Sequence, residues 1–497
     1  MNPFHPYSKR LFRLAPQALV AAGMLLLPAC KKMVTINEPI NTITSAKVFS
    51  TDAQANAAMA GVFTQMINGK TTSNSPTTGF STGLSTLLGA LSSDELNYYS
   101  SAYNNYYAYN ISRLQVGDAP SATLWTTAYS VIYGCNAVIE GVAASTASTL
   151  HDSVRNVLTG EARFIRAFSY FYLTNFFGDV PLVVTTDYNQ TAGMVKTSKA
   201  EVYRQMVADL KAAQLLLPTN YATAGGERFR PNKYAATALL ARVYLYTGDD
   251  ANAALQAADV ISRTEWYGLE TLNNVFLKNS REAIWQLQQN TSNSMGTGVP
   301  EGMTFISNPL NTGLAPYFLT TSLQNAFETD DQRKVAWVKS TDYNLTGVTA
   351  RYYFPFKYKT GRYNYSVGGI ATEYYMVFRL AEQYLIHAEA LANGGGTGVA
   401  EAIKDLNKIR LRAGLGELPL TLSKEATLIA VAKERQTELF AEWGHRWLDL
   451  KRTGKAHDVL SVLPLKQPWA GDYQLLYPIP LSEIQANVRL VQNADYK

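Results

Sequence analysis

The stretch from 152 to 176 constrains this chain more than any other part of it. Phe164, Ala167, Phe168, Phe171 and Tyr172 fall at i, i+3, i+4, i+7 and i+8, an apolar stripe that a helix must bury against other elements. Gly178 ends the pattern and Pro181 keeps it from resuming. So apolar a helix needs a large partner surface, and the composition supplies one. Of 497 residues, 47% are hydrophobic and only 17% charged, against roughly 25% charged in an average soluble protein. Global disorder is thereby excluded. The formal charge is only +5 and no run of five Lys/Arg occurs, so no nucleic-acid partner is expected.

Helical spacing recurs along most of the chain. Ser50-Thr51-Asp52 supplies N-cap chemistry for a helix over 51–67. The polar, Gly/Ser/Thr-rich run 68–83 reads as a loop. Further helices are expected over 120–143 and 198–216. Residues 232–261 read as a helical hairpin turned at Gly248-Asp249, with Ala235, Ala238 and Ala241 facing Ala254, Ala257 and Ala258. Small residues on both halves let two helices approach closely, which is tetratricopeptide-like packing. A second hairpin is expected over 376–413 and a long helix over 424–443. Between the hairpins, 265–371 is rich in Gly, Asn, Thr, Tyr and Pro, with strand-like pieces at Ala283–Gln288 and Arg351–Tyr358. The expected fold class is therefore mainly α: tetratricopeptide-like hairpins at about 46–261 and 372–497, and an irregular, loop-rich half with a few short strands. An irregular region this long reads as functional surface rather than scaffold.

The N-terminus reads as an address. Lys9, Arg10 and Arg13 precede an uncharged run, Leu14 to Leu27, and then Leu27-Pro28-Ala29-Cys30, a lipobox-like stretch. That run is too short for a membrane span but suits a signal peptide. Residues 1–29 are thus a lipoprotein signal, Cys30 the lipidated thiol and 30–45 an anchored linker. The other reading is a plain secretory signal with an incidental cysteine. Cutting before Cys30 removes three positive charges and leaves +2. Cys135 is then the remaining thiol, expected in the core.

Residues 94–110, DELNYYSSAYNNYYAYN, hold the sharpest binding candidates: Tyr98, Tyr99, Tyr103, Tyr106, Tyr107 and Tyr109, with Asn97, Asn104, Asn105 and Asn110. A sugar ring has an apolar C–H face and a rim of hydroxyls. Tyrosine covers the face with few rotors to freeze, and amides bond the rim. The bland alternative places half of these rings in the core. Gly79-Phe80-Ser81-Thr82-Gly83 matches a G-x-S-x-G nucleophile elbow, but no strand precedes it and the chain lacks alternating β and α elements. Glu434, Glu438 and Glu442 share one helical face. They resemble a glycosidase pair in kind, but Arg435, Arg446, Asp449 and Arg452 beside Trp443 and Trp447 favour structural ion pairs. His387-Ala388-Glu389 lacks the following Pro-Cys-x-x-Cys of zinc deaminases, and Gly394–Gly398 lacks the Lys-Ser/Thr of a P-loop. No metal and no cofactor are expected.

Three segments carry a family resemblance. Gly160–Val184, Glu434–Gly454 and the ending Leu476–Tyr496 are similar, in this order, to motifs of the SusD/RagB family of outer-membrane lipoproteins. Val488 and Ala494-Asp495 stand where that family usually has prolines and a glycine. The resemblance spans essentially the whole chain and makes 46–497 one nutrient-binding domain. It implies a lid over a SusC-like, TonB-dependent β-barrel transporter, anchored at the cell surface by lipid. It further implies non-covalent capture of oligosaccharides, or of peptides, without catalysis. It also implies that part of the binding arc comes from the irregular half, where Tyr317, Trp337, Tyr343, Tyr352, Tyr353 and Tyr358 offer rings, and Asn308, Asn311 and Arg351 offer polar groups. A hydrolase using Ser81 and a ligandless helical adaptor remain as rivals.

Overall fold

Helices form where the apolar stripes and caps place them. The computed structural model describes residues 45–69, 76–100, 106–306, 316–344, 347, 349–394 and 398–496. The signal segment, Cys30, most of the linker, Tyr103, Asn104, Asn105, Asn308 and Asn311 lie outside the described residues. Helix α1 (Asp52–Asn68) starts at Thr51, whose side chain accepts the Gln54 N–H. Then follow α2 (Ser85–Ser92), α3 (Ala119–Ala144), α4 (Asp152–Phe177), α5 (Lys199–Leu216), α6 (Lys233–Thr247) and α7 (Asp250–Ile261). After the irregular half come α8 (Leu380–Ala392), α9 (Val399–Arg412), α10 (Lys424–Glu438) and α11 (His445–Arg452). From α3 to α9 each helix packs on the next. α7 lies on α8 although 118 residues separate them, so the irregular half is an excursion from a continuous helical stack. No described helix is long and apolar enough to cross a membrane.

Among the described residues, two antiparallel strand pairs stitch the excursion to the rest of the chain and a third lies within it. β1 (Leu96–Tyr98) pairs with β3 (Tyr317–Leu319), with Tyr98 opposite Tyr317. β2 (Ala283–Leu287) pairs with β6 (Tyr375–Arg379), with Trp285 opposite Phe378. β4 (Val338–Asn344) and β5 (Thr349–Pro355) form a hairpin. The helix expected from 376 therefore starts only at Leu380. Residues 375–379 are buried on every side chain, and such a run satisfies its backbone in a strand pair as well as in a helix.

Two further expectations are corrected. Phe80–Leu84 is a buried helical turn leading into α2, not an open loop. Phe80 packs 6.1 Å from Phe168, and its N–H donates to Thr127 Oγ1 at 2.9 Å. The helix over 424–443 stops at Glu438. Ala441 (φ 51°) and Trp443 (φ 48°) then take left-handed backbone, which side-chain-bearing residues rarely adopt. Packing holds Trp443 there. Its indole stacks on Tyr375 at 4.9 Å, lies 5.3 Å from Phe168, and donates to Met376 O at 2.7 Å. Cys135 is buried on α3, and burial pushes its thiol up.

A buried ion network joins the excursion to the C-terminal helices. Glu438 accepts from Arg379 at 2.5 Å, from Arg333 at 3.2 Å, and from Arg412. Glu442 accepts two bonds from Arg379 at 2.8 Å each and one from Lys357. Glu434 accepts from Arg333. The three carboxylates are thus structural, but their partners are not those the sequence suggested. Arg435 and Arg452 hold Asp449 instead, and Arg446 holds Asp94. At the tail, Asp495 takes glycine's left-handed backbone (φ 66°), and Tyr496 still reaches back to donate to Leu476 O at 2.7 Å.

Candidate functional site: a tyrosine wall and a polar cleft

The tyrosine segment is clamped at both ends by basic side chains, the half-buried Arg446 and the buried Lys466. At its start, Arg446 makes two bonds to Asp94, at 2.7 and 3.0 Å, and Ser322 donates to the same carboxylate at 2.8 Å. Burial would push the Asp94 carboxyl up, but Arg446 overrides it and holds it below its usual value. At its end, Lys466 Nζ donates to Asn110 O at 2.9 Å, Leu91 O at 3.2 Å and Ser112 Oγ at 3.1 Å. Burial there drops the lysine to about 7. Asn110 acts inside the fold, accepting the Tyr98 N–H at 2.9 Å and donating to Leu96 O at 3.1 Å.

Between these clamps the rings assemble. Tyr98 lies 4.9 Å from Tyr99, 6.2 Å from Tyr106 and 5.5 Å from Tyr317. Tyr106 meets Tyr317 edge-on at 6.1 Å, and the hydroxyls of Tyr106 and Thr77 share a hydrogen bond of 3.1 Å. Tyr99 is exposed, whereas Tyr98, Tyr106 and Tyr107 are half-buried. β3 also touches β5, where Phe318 meets Tyr352 at 4.9 Å. Tyr343, Tyr352 and Tyr353 are half-buried, so the hairpin extends the aromatic surface. Across the hairpin Arg351 pairs with Asp342 at 2.8 Å, both exposed.

Other candidates are core residues. Trp337 is wholly buried: its N–H donates to Leu272 O at 2.8 Å, and Lys357, Arg379 and Arg412 lie over its ring. It cushions the ion network and presents no face to a ligand. Tyr358 is buried and its hydroxyl accepts the Met376 N–H. Tyr109 is buried against Tyr477 at 5.1 Å, because the turn Tyr107–Asn110 rotates it inward. Tyr317 is nearly buried and serves as the backing of the wall. Ser81 is buried and its hydroxyl donates to Met66 O at 2.7 Å. A nucleophile needs that proton directed at a base.

Reading the sequence also missed a cleft of about 670 Å³ between α1, the segment 223–230, the end of β2 and residues 369–374. Phe63, Ile370 and Tyr374 line it, with Lys278, Gln288 and Gln289. The amide-rich run Gln286–Asn290 was the available signal.

A stack of helices carrying an irregular half edged with phenol rings defines a class: a helical scaffold that presents an aromatic surface. The chain belongs to the SusD/RagB family. The SusD family model matches residues 284–496, and one described as starch-binding associating with outer membrane matches 47–245. A SusD-like protein of Formosa agariphila is 28% identical, the match covering 75% of this chain and 80% of that protein. The starch-binding protein SusD of Bacteroides thetaiotaomicron is 32% identical over 130 residues, 24% of this chain and 21% of its own length. A SusD superfamily crystal structure from Bacteroides vulgatus superposes with a TM-score of 0.75 at 20% identity, covering 90% of this chain and 99% of that one. A laminarin-binding SusD-like protein superposes at 0.71 with 24% identity, over 90% and 100%.

Proposed function

We propose that this chain is a cell-surface lipoprotein, anchored through Cys30, that binds oligosaccharides without breaking them. It passes them to a SusC-like, TonB-dependent transporter in the outer membrane. The helical stack is its tetratricopeptide-like scaffold and residues 265–371 its ligand-facing insertion. The observation that carries the reading is the wall of Tyr98, Tyr99 and Tyr106, backed by Tyr317 and fixed at Asp94 and Asn110 by Arg446 and Lys466. Family membership and the laminarin-binding fold relative support the same direction. Stacking of a nucleobase on an aromatic ring contributes about 1–3 kcal/mol, and a sugar face gains no more. Several such contacts give binding that is selective and readily reversed.

The test is retardation of residues 31–497 in native gels containing a panel of neutral and acidic polysaccharides. Wild type is retarded by at least one, and changing Tyr98, Tyr99 and Tyr106 to Ala abolishes it. Undiminished retardation of that variant removes the wall as the site. Binding to a peptide mixture, with no polysaccharide retarding the chain, assigns the same scaffold to peptides.

A further inference from the structure

The cleft beside α1 carries chemistry that the tyrosine wall lacks. Lys278 Nζ sits 6.0 Å above the Tyr374 ring, and no carboxylate pairs with it among the described residues. The other cation at the cleft, Arg230, is neutralised by two bonds to Glu161 and also donates to Asn56. Tyr374 is fixed from two sides: its hydroxyl donates to Glu227 at 2.9 Å and accepts from Gln288 at 2.8 Å. Gln289 is 4% exposed, and its Nε2 donates to Thr297 O at 2.9 Å and Glu373 O at 3.0 Å. Those bonds orient the amide, while its Oε1 accepts nothing. Phe63 and Ile370 give the same cleft apolar surface, Ile370 being 87% exposed. The volume falls within the roughly 300–1,000 Å³ of small-ligand pockets.

We propose that this cleft is a second saccharide site, selective for sugars bearing an acidic substituent, either a uronate carboxylate or a sulfate ester. The anion meets Lys278 and the C–H face lies against Phe63 and Ile370. The cleft borders the wall, because Thr78 donates to Asn68 O at the cleft's edge while Thr77 bonds Tyr106. The inference rests on the carbohydrate reading above, and its test separates the two.

Isothermal titration of residues 31–497 compares three ligands of equal length: oligogalacturonate, a sulfated galacto-oligosaccharide and a neutral galacto-oligosaccharide. Wild type binds at least one acidic ligand tenfold or more tighter than the neutral one, with an advantage that shrinks as salt rises. Lys278→Gln removes the advantage and leaves neutral binding unchanged. Thr64→Trp, placed on the exposed face of α1 at the cleft mouth, removes it by filling the space. The paired change Tyr98→Ala and Tyr99→Ala preserves it. Which acidic ligand shows the advantage distinguishes carboxylate from sulfate. Equal affinity for all three ligands, or an advantage that survives Lys278→Gln, overturns the second site while leaving the wall standing. Binding of none of the three by wild type overturns the second site as stated, while the gel panel decides the wall on its own.

Discussion

The sharpest consequence of the ion network concerns Glu438. Burial alone would push this carboxyl up, but the guanidiniums of Arg412, Arg379 and Arg333 hold it well below the usual carboxylate range. Glu438→Gln keeps the shape and removes the charge, turning an amide NH2 toward guanidinium donors. Removing one partner from a buried ion pair costs about 3–5 kcal/mol, because the remaining charge stays buried and uncompensated. Here Glu434, Glu442, Glu282 and Asp331 still compensate the cations, so the expected loss lies near the lower end, about 3 kcal/mol. Urea unfolding followed by tryptophan fluorescence measures it. The exposed control Glu425→Gln should stay within about 0.5 kcal/mol of wild type. Adding Arg412→Met to Glu438→Gln removes a stranded charge, so the double variant should fall short of the summed single losses by about 1 kcal/mol or more. A Glu438→Gln variant within about 1 kcal/mol of wild type would refute the account of the network as the clasp between the two halves.

Further outcomes follow from single contacts. A Cβ at Gly89 would lie 2.6 Å from the Gly444 Cα, so Gly89→Ala should cost about 1–3 kcal/mol in the same unfolding assay. Lys466→Met leaves Asn110 O, Leu91 O and Ser112 Oγ without their shared donor. It should cost about 1–3 kcal/mol and weaken polysaccharide retardation by loosening the end of the wall. Burial raises the Glu301 carboxyl to about 8 from 4.5, so the folded state holds a proton there that the unfolded chain releases. That contribution is complete below the unfolded value and is lost as pH rises through the folded one. The stability of Glu301→Gln relative to wild type should therefore grow by about 1.4 kcal/mol per pH unit across that window. Parallel curves for the two proteins would show that Glu301 is ionised throughout.

What the sequence disclosed depended on how far apart the interacting residues lie. The stripe on α4, the Thr51 cap and the Gly248 turn act over a few residues, and each stands where local chemistry placed it. The fate of Glu434 depends on Arg333, 101 residues away, and no spacing within α10 encodes that. The left-handed backbone at Ala441 and Trp443 was equally hidden, since neither is glycine and the packing that fixes Trp443 comes from α4 and β6. The tyrosine segment was legible as a cluster but not ring by ring. Which phenols face outward depends on the turn at Tyr107–Asn110 and on pairing with a strand more than two hundred residues later. The cleft draws on four separate segments and left only its run of amides in the sequence.

The distribution of strong and weak interactions follows from the task proposed. Much of what sets the wall's position is held from within the fold: Arg446 on the buried Asp94, Lys466 on the 109–112 turn, the pairing of β1 with β3, and the Glu438 clasp beneath the irregular half. What faces outward includes rings, amides, the Arg351–Asp342 pair and Lys278, each contributing little alone. A rigid base means that a passing ligand need not order the surface it lands on, which removes a main cost of binding. Weak, repeated contacts then let affinity grow with ligand length, while any single sugar can leave without waiting for the others. A carrier that must release its cargo to a second protein needs this combination. A deep pocket closed around one sugar would hold too long, and a soft surface would bind too poorly to select.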